Sequence, residues 1–441
     1  MIRAKRMTHT IQELKIRQAL PLDIKISMTK QRIREWVEHF GVDGVYVSFS
    51  GGKDSTVLLH IARQMYPNIK AMFVDVPTQY PELRSFAERF DNVDIMKSKM
   101  SFMEVCEKYG FPMISKEVSE CVEGAKKYLT SIVEIETRFD RQTDRQTDRQ
   151  TDRQHKYSYF YEKLTGTGEY SKFLESPSAD KVAIAQGSSG GTTTSIGNYE
   201  ELASILNKSK EKGQKIKTAI LLGMLTKDNK IKANIPDSDR SNFSQERYKF
   251  FIDSPFEISN KCCTVMKKEP AHRYSKETGR MPITAQMASE SRLRTQKWVQ
   301  NGCNGFNIKN PISNPMAFWL EQDILTYIYE NGIEICSVYG DVVIDYAADG
   351  QIYGQLSLSE YGVLDKERPS LKCTGCKRTG CCLCAFGAHL EKDGDERFLR
   401  LKQTHPKMYN LLDVIKNNGV TYREAIEWVN KNSNGKVNIK L

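Results

Sequence analysis

The sequence predicts an α/β protein built on a doubly wound parallel sheet, and three observations carry that expectation. Two short runs rich in β-branched and aromatic residues, Val45 to Phe49 and the stretch 69–76 (IKAMFVDV), are each followed by a helical pattern. Strand, helix, strand, helix is the signature of parallel βα units, whose ligands lie at the carboxyl ends of the strands. The first of these junctions is a compressed turn, SFSGGKDST at 48–56, that packs two glycines, a lysine, an aspartate and several hydroxyls into one bend.

Taken in order, residues 9–40 read as two helices, the second (MTKQRIREWVEHF) with apolar residues at helical spacing and Gly41 just beyond it. The strand from Val45 to Phe49 and the glycine turn follow, and DSTVLLHIARQMYP reads as an amphipathic helix stopped at Pro67. IKAMFVDV is the second buried strand and ELRSFAERF the second helix. A helix is expected over 314–332 (NPMAFWLEQDILTYIYENG), closed by Gly332, and a terminal helical pair over 405–432.

Between about 131 and 250 the character changes. GSSGGTTTSIGN (187–198) has linker composition. DRQTDRQTDRQTDRQ (140–154) repeats a tetrad with no apolar residue, so it is expected to stay solvated, helical or disordered. The codons GAC AGA CAG ACA would write that tetrad as a GACA tetranucleotide repeat; slippage by one unit shifts the frame and would switch the product off. The expected parts are N-terminal helices (1–40), the first half of a nucleotide-binding core (41–130), a mostly helical insert (131–250), the second half of the core with a cysteine cluster (251–400) and C-terminal helices (401–441).

The chain has 441 residues, 39% of them apolar, and a net charge of +10. That balance permits an anionic partner, nucleotide or nucleic acid, without requiring one. No apolar run approaches the roughly eighteen residues a membrane span needs, and the basic N-terminus lacks an apolar signal region. A cytoplasmic location without a membrane partner is therefore expected. Seven of the eleven cysteines fall in two groups, Cys262–Cys263 and Cys373, Cys376, Cys381, Cys382 and Cys384. In a reducing compartment such clustering favours metal over disulfides. Cys106, Cys121, Cys303 and Cys336 are expected to be buried core residues.

The 48–56 turn has the parts of a phosphate site. Backbone N–H groups at a strand-to-helix junction sit at the positive end of the helix dipole. Gly51 and Gly52 allow positive φ and close approach, Lys53 adds charge, and Ser50, Ser55 and Thr56 add hydroxyl donors. Asp54 makes sense beside phosphates if it meets Mg²⁺. A Walker A loop is excluded, because its first glycine would stand where Val47 is.

SFSGGKDS resembles the PP-loop of the ATP pyrophosphatase (adenine nucleotide alpha hydrolase-like) superfamily, and the wider chain resembles the phosphoadenosine phosphosulfate reductase family within it. FVDVPTQYPEL (73–83) is similar to that family's second strand and its following Pro81-Glu82, with Asp75 as a nucleotide-site candidate. Val76-Pro77 replaces the usual Thr-Gly. ASESRLR (288–294) resembles the arginine-containing segment near the nucleotide and makes Glu290, Ser291, Arg292 and Arg294 candidates. Trp319 and Asp323 match a segment read as structural. The matches cover about residues 40–130 and 250–390. The resemblance implies that ATP with Mg²⁺ is gripped by its β- and γ-phosphates while a nucleophile attacks the α-phosphorus, with Lys53 and Asp54 in catalytic roles.

NKCCTVMKKEP (260–270) resembles the tandem-cysteine motif of the iron–sulfur sulfonucleotide reductases, and RTGCCLC (378–384) the family's Gly-Cys-x-x-Cys. That likeness implies a [4Fe–4S] cluster on Cys262, Cys263, Cys381 and Cys384. Spacing alone offers a second set, Cys373, Cys376, Cys381 and Cys384, as a C-x2-C-x4-C-x2-C knuckle for Zn²⁺. After Cys384 the chain has no cysteine, so the nucleophilic tail of thioredoxin-dependent reductases is missing. The intact SGGKDS is more at home in enzymes that split ATP. The favoured expectation is adenylation of an acceptor for sulfur transfer, with a cysteine desulfurase as a possible sulfur donor and nucleic acid a possible acceptor. Sulfonucleotide reduction, ATP sulfurylase chemistry and a non-catalytic nucleotide sensor are the alternatives.

Overall fold

The computed structural model describes residues 9–143, 202–204, 206–209, 212–345, 369–392 and 394–441. The DRQT tract beyond Thr143 and the 187–198 linker lie outside the described residues. The chain opens with α1 (Ile11–Gln18) and α2 (Leu22–Phe40), then β1 (Val45–Phe49), α3 (Lys53–Met65), β2 (Ala71–Asp75), α4 (Pro81–Ala87) and β3 (Val93–Lys97). Next come α5 (Phe102–Tyr109), β4 (Met113–Ile114), α6 (Lys116–Thr143) and α7 (Lys212–Leu221). A helical turn, α8 (Lys261–Cys263), runs through a π-helical stretch, Thr264–Lys268, into α9 (Glu269–Thr278). β5 (Met281–Ile283), α10 (Arg292–Asn301), β6 (Asn304–Gly305), β7 (Ile312–Ser313) and α11 (Glu321–Asn331) follow. The last elements are β8 (Val342–Ile344), β9 (Leu371–Cys373), β10 (Ala385–Phe386), α12 (Arg397–Thr404), α13 (Pro406–Tyr409), β11 (Lys416–Asn417), β12 (Val420–Thr421) and α14 (Tyr422–Asn432).

Contacts divide the chain into two units, one of residues 1–102 and 263–382, the other of 103–262 and 383–441. The first holds a six-stranded sheet in the order β3-β2-β1-β5-β7-β6, parallel except for β6. This is the doubly wound α/β class expected. The chain moves outward from β1 through β2 to β3 on one side, and β5 and β7 extend the other side, so strand order reverses at β1. Crevices at such a reversal are where α/β sheets bind ligands. β1 is apolar on both faces because both are covered: Val45, Tyr46, Val47 and Phe49 are buried. Trp36 of α2 and Trp319 are also fully buried, and the Trp319 indole N–H donates to Thr29 Oγ1 at 2.9 Å. Asp323 pairs with the buried Lys25 at 2.7 Å and caps the Leu320 N–H at 2.6 Å, so both residues serve the frame.

Two expected helices are shorter than their patterns. The 314–332 pattern becomes a helix only at Glu321, because residues 314–319 fold into turns, with Ala317 N–H on Asn314 O and Trp319 N–H on Met316 O. Residues 405–432 are not a helical pair. Asn418 and Gly419, both at positive φ, make a hairpin turn between β11 and β12, and only α14 is a full helix.

The second unit is helical around small strand pairs; β4 pairs in parallel with β10 through Met113 and Ala385. Phe111 stacks on Tyr422 with ring centroids 4.7 Å apart, and Phe251, Phe256 and Phe398 fill the same unit's interior. No helix among the described residues is long and apolar enough to cross a membrane.

Candidate active site

The turn after β1 lies at the carboxyl end of the central strand and opens directly into α3. Gly51 adopts φ +70°, and a Cβ there would lie 3.0 Å from the Leu83 carbonyl, so both conformation and space select glycine. At Gly52 a Cβ would come within 3.1 Å of the Tyr339 hydroxyl. The hydroxyls fix the bend from inside. Ser50 N–H donates to Ser55 Oγ at 3.1 Å, while Ser55 and Thr56 donate to the Gly52 carbonyl at 2.9 and 3.0 Å. Ser55 and Thr56 are buried, so in this state their oxygens shape the loop rather than face outward.

Lys53 is 4% exposed. Its backbone N–H donates to Tyr339 Oη at 3.2 Å; its Nζ donates to the Lys377 carbonyl at 2.8 Å and pairs with Glu321 at 3.0 Å. Tyr339 in turn bonds Thr379 Oγ1 at 2.6 Å. The segment bearing Lys377 and Thr379 is held in place by backbone bonds from Thr374, Gly375 and Cys376 to Asp341, Tyr339 and Val338. Gly375 is required there, since a Cβ would fall 2.6 Å from the Val338 carbonyl. Both donors of Lys53 are thus engaged by the chain's own oxygens, the same kind of partner a phosphate offers.

Asp54 is the electrostatic centre. Burial raises its carboxyl above the usual range; Lys53 opposes this, Glu321 adds to it, and Arg378 and Arg294 oppose it. Its Oδ1 is buried without a hydrogen-bond partner. An orphaned carboxylate oxygen beside a phosphate-type loop fits a divalent cation such as Mg²⁺. Arg294 has its own pKa lowered by burial and by Arg378, with Asp54 acting the other way, and it pairs with Glu290. Ser291 caps α10 by accepting the Arg294 N–H at 3.3 Å, and Arg292 is exposed at the start of that helix. Asp75, at the carboxyl end of β2, pairs with Arg84 at 3.0 Å.

The structure therefore brings Lys53, Asp54 and Arg294 together with four residues that no sequence motif marks as part of this site: Glu321, Tyr339, Arg378 and Thr379. Glu321 lies between the two residues, Trp319 and Asp323, that resemblance drew attention to. Arg378 and Thr379 stand directly before the cysteines, in RTG, where the thiol motif is the dominant sequence signal.

The cysteines are divided. Among the described residues none forms a disulfide, and Cys106, Cys121, Cys303 and Cys336 are buried, as expected. In the first unit, burial raises the Cys373 thiol, and the next influence on it is Lys53; Cys376 Sγ donates to Arg378 O at 2.8 Å. Cys382 Sγ and N–H both donate to the Thr78 carbonyl, at 3.0 and 2.8 Å. In the second unit, the fully buried Tyr422 phenol donates to Pro112 O and accepts from Ala385 N–H, both at 3.1 Å. Its pKa is raised by burial and then by the charges of Cys384, Cys106 and Cys262. Cys262 and Cys263 stand on α8, immediately before the π-helical stretch. The donor chemistry suits a thiolate-bound metal, but among the described residues no three Cys, His, Asp or Glu side chains are grouped closely enough to hold one.

Comparison with known proteins accords with this geometry. The profile of the phosphoadenosine phosphosulfate reductase domain matches residues 44–123 and 214–385, spanning the loop, Arg294 and the cysteine segments. A stretch of 103 residues is 30% identical to the uncharacterized protein MJ0973 of Methanocaldococcus jannaschii, covering 21% of this chain and 24% of that protein. The profile accounts for more than half of the 441 residues, and the chain belongs to the phosphoadenosine phosphosulfate reductase domain family, nucleotide-binding enzymes of the PP-loop type.

Proposed function

We propose that the chain is an ATP pyrophosphatase that adenylates an acceptor, releasing pyrophosphate, in preparation for sulfur transfer. The observation that carries this reading is the complete SGGKDS bend at the carboxyl end of β1, with the orphaned Asp54 oxygen beside it. In the proposed reaction the bond between the α-phosphorus and the bridging oxygen breaks, an acceptor oxygen bonds to the α-phosphorus, and pyrophosphate leaves with the electron pair. Lys53 and the Gly51–Lys53 backbone N–H groups would hold the leaving group, where charge develops in the transition state. Asp54 would orient the Mg²⁺ of the nucleotide. To bind, the triphosphate must replace the Tyr339, Lys377 and Glu321 oxygens on Lys53, which costs part of its binding energy.

Sulfur chemistry enters through the family and the cysteines. Cys262, Cys263, Cys381 and Cys384 are the ligands proposed for a [4Fe–4S] cluster, which would bind or present sulfur delivered by a partner such as a cysteine desulfurase. The knuckle set with Cys373 and Cys376 is the zinc alternative. Nucleic acid is a candidate acceptor, and the cytoplasm the proposed location.

Incubation of anaerobically purified protein with Mg·ATP and candidate acceptors tests the reaction. Pyrophosphate and an adenylated acceptor are expected, with free AMP released when water or added sulfide displaces it, and Lys53→Ala and Asp54→Ala abolishing all three. ADP and orthophosphate would mean that the bend does not hold a leaving pyrophosphate. A second reading, sulfonucleotide reduction, is favoured by the family match itself. Sulfite formed from phosphoadenosine phosphosulfate with thioredoxin, without ATP cleavage, would establish it in place of the first.

A further inference from the structure

A second cavity in the first unit, of about 580 Å³, contains none of the residues of the glycine bend. Its walls come from the start of α9, the loop after β5, α10 and the β6–β7 hairpin. The volume falls in the range of about 300–1,000 Å³ common for small-molecule sites. Lys268, His272, Arg294, Lys297 and Lys309 line it, and no aspartate or glutamate among the described residues does. On a chain with 55 acidic residues, a pocket whose charged lining side chains are all basic favours anions, even with Arg294 partly neutralised by its pairing with Glu290. Ala288, Ile308, Ile312 and Ala317 give part of the wall an apolar surface against which the non-phosphate part of a ligand can pack; the Trp298 ring behind it is 2% exposed and already stacked on His9.

Arg294 joins this cavity to the glycine bend: it lines the pocket, and it interacts electrostatically with Asp54. An anion seated against Arg294 would lie at the border of the nucleotide site without entering the loop. We infer that this cavity binds a phosphate-bearing ligand of about nucleotide size, distinct from the triphosphate at the bend, and that this ligand is the acceptor. The word acceptor rests on the adenylation reading; the binding site does not. A free mononucleotide and one nucleotide of a single strand present the same chemistry to these walls.

The test uses the full chain with its glycine bend saturated by a non-hydrolysable ATP analogue. Deoxythymidine 5′-phosphate and a short oligothymidylate serve as probes, titrated by calorimetry. One or both should bind with the analogue in place, and affinity should fall as salt rises. Lys297→Glu with Lys309→Glu should weaken binding by about tenfold or more. Both lysines are exposed, so matching unfolding midpoints are expected, and the Lys→Gln pair should give a smaller loss. Lys53→Ala should leave probe binding in place. Binding of the monophosphate alone identifies a free metabolite; binding of the oligonucleotide alone identifies a strand. No binding of either probe, competition with the analogue for one site, or an affinity unmoved by the double substitution would overturn the inference. Retained lysine-dependent binding in a protein that forms no AMP or pyrophosphate would overturn the adenylation reading and leave the pocket standing.

Discussion

Between Ser50 and Thr56, seven consecutive residues make one bend, and Ser50, Gly52, Ser55 and Thr56 hold its shape through hydrogen bonds to one another. The thiols of the second unit are brought in the opposite way. Cys106, Cys262 and Cys384 come from three separate places in the chain, and each acts electrostatically on Tyr422. A local motif fixes its geometry through backbone conformation and short-range hydrogen bonds, and it survives wherever a strand feeds a helix. A site gathered over hundreds of residues exists only once the surrounding core has packed. The first kind fails residue by residue, and the second fails as a unit.

The two regions should therefore separate under substitution. Lys53→Ala is expected to lower pyrophosphate release by about 10³-fold or more, the size of a lost transition-state charge contact, while leaving bound iron as it was. Cys384→Ser should do the reverse, lowering iron per chain severalfold while ATP-analogue binding persists. Iron and sulfide analysis beside a pyrophosphate-release assay reads both. If Cys373→Ser or Cys376→Ser removed the metal and Cys262→Ser did not, the knuckle set would replace the dispersed one. Loss of iron in Lys53→Ala would mean that the two regions are not independent.

A smaller effect tests whether the second region depends on its packing. Tyr422→Phe keeps the ring stacked on Phe111 but leaves the Ala385 N–H and the Pro112 carbonyl without their shared hydroxyl. A buried donor and acceptor left unpaired cost about 1–3 kcal/mol each, so a loss of that order is expected in chemical unfolding. The same variant should bind ATP analogue normally below its unfolding transition. A neutral outcome would mean that water satisfies both groups.

This contrast also explains what was legible in the sequence. β1 and the glycine bend could be placed to the residue because strand periodicity, glycine conformational demand and phosphate chemistry all act on adjacent positions. The parallel sheet followed from alternation of strands and helices. Glu321, Tyr339 and Thr379 could not be found that way, since their roles come from contacts with Lys53 or its partners across hundreds of positions. Arg378 was hidden by the stronger signal of the cysteines beside it. The start of the helix within 314–332 is not legible, because apolar spacing does not distinguish a helix from consecutive turns that bury Phe318 and Trp319. The hairpin at Asn418-Gly419 carried its own turn signal, outweighed by the helical pattern on either side.

The smallest expected effect concerns Asp54, and it isolates the cost of keeping the local site ready. Burial raises this carboxyl above its ordinary value of 3.8, against the pull of Lys53. The folded protein therefore holds the proton more tightly than the unfolded chain. The stability this provides is fully present below the ordinary carboxylate range and is lost as pH rises through the raised folded value. Above that value the ionised carboxylate, with its orphaned oxygen, is a net cost to the fold. Asp54→Asn removes the titration while keeping the shape. Its melting temperature should exceed that of the parent by about 2–4 °C at neutral pH, with the difference shrinking as the pH is lowered toward 4. Saturating Mg²⁺ with an ATP analogue should reverse the order, because the complex stabilises the ionised parent and not the amide. The Tyr422→Phe loss, by contrast, should be flat over the same pH range and indifferent to nucleotide. If Asp54→Asn melted below the parent at neutral pH without nucleotide, the carboxylate would already be satisfied by its neighbours, and the bend would not be poised for a cation.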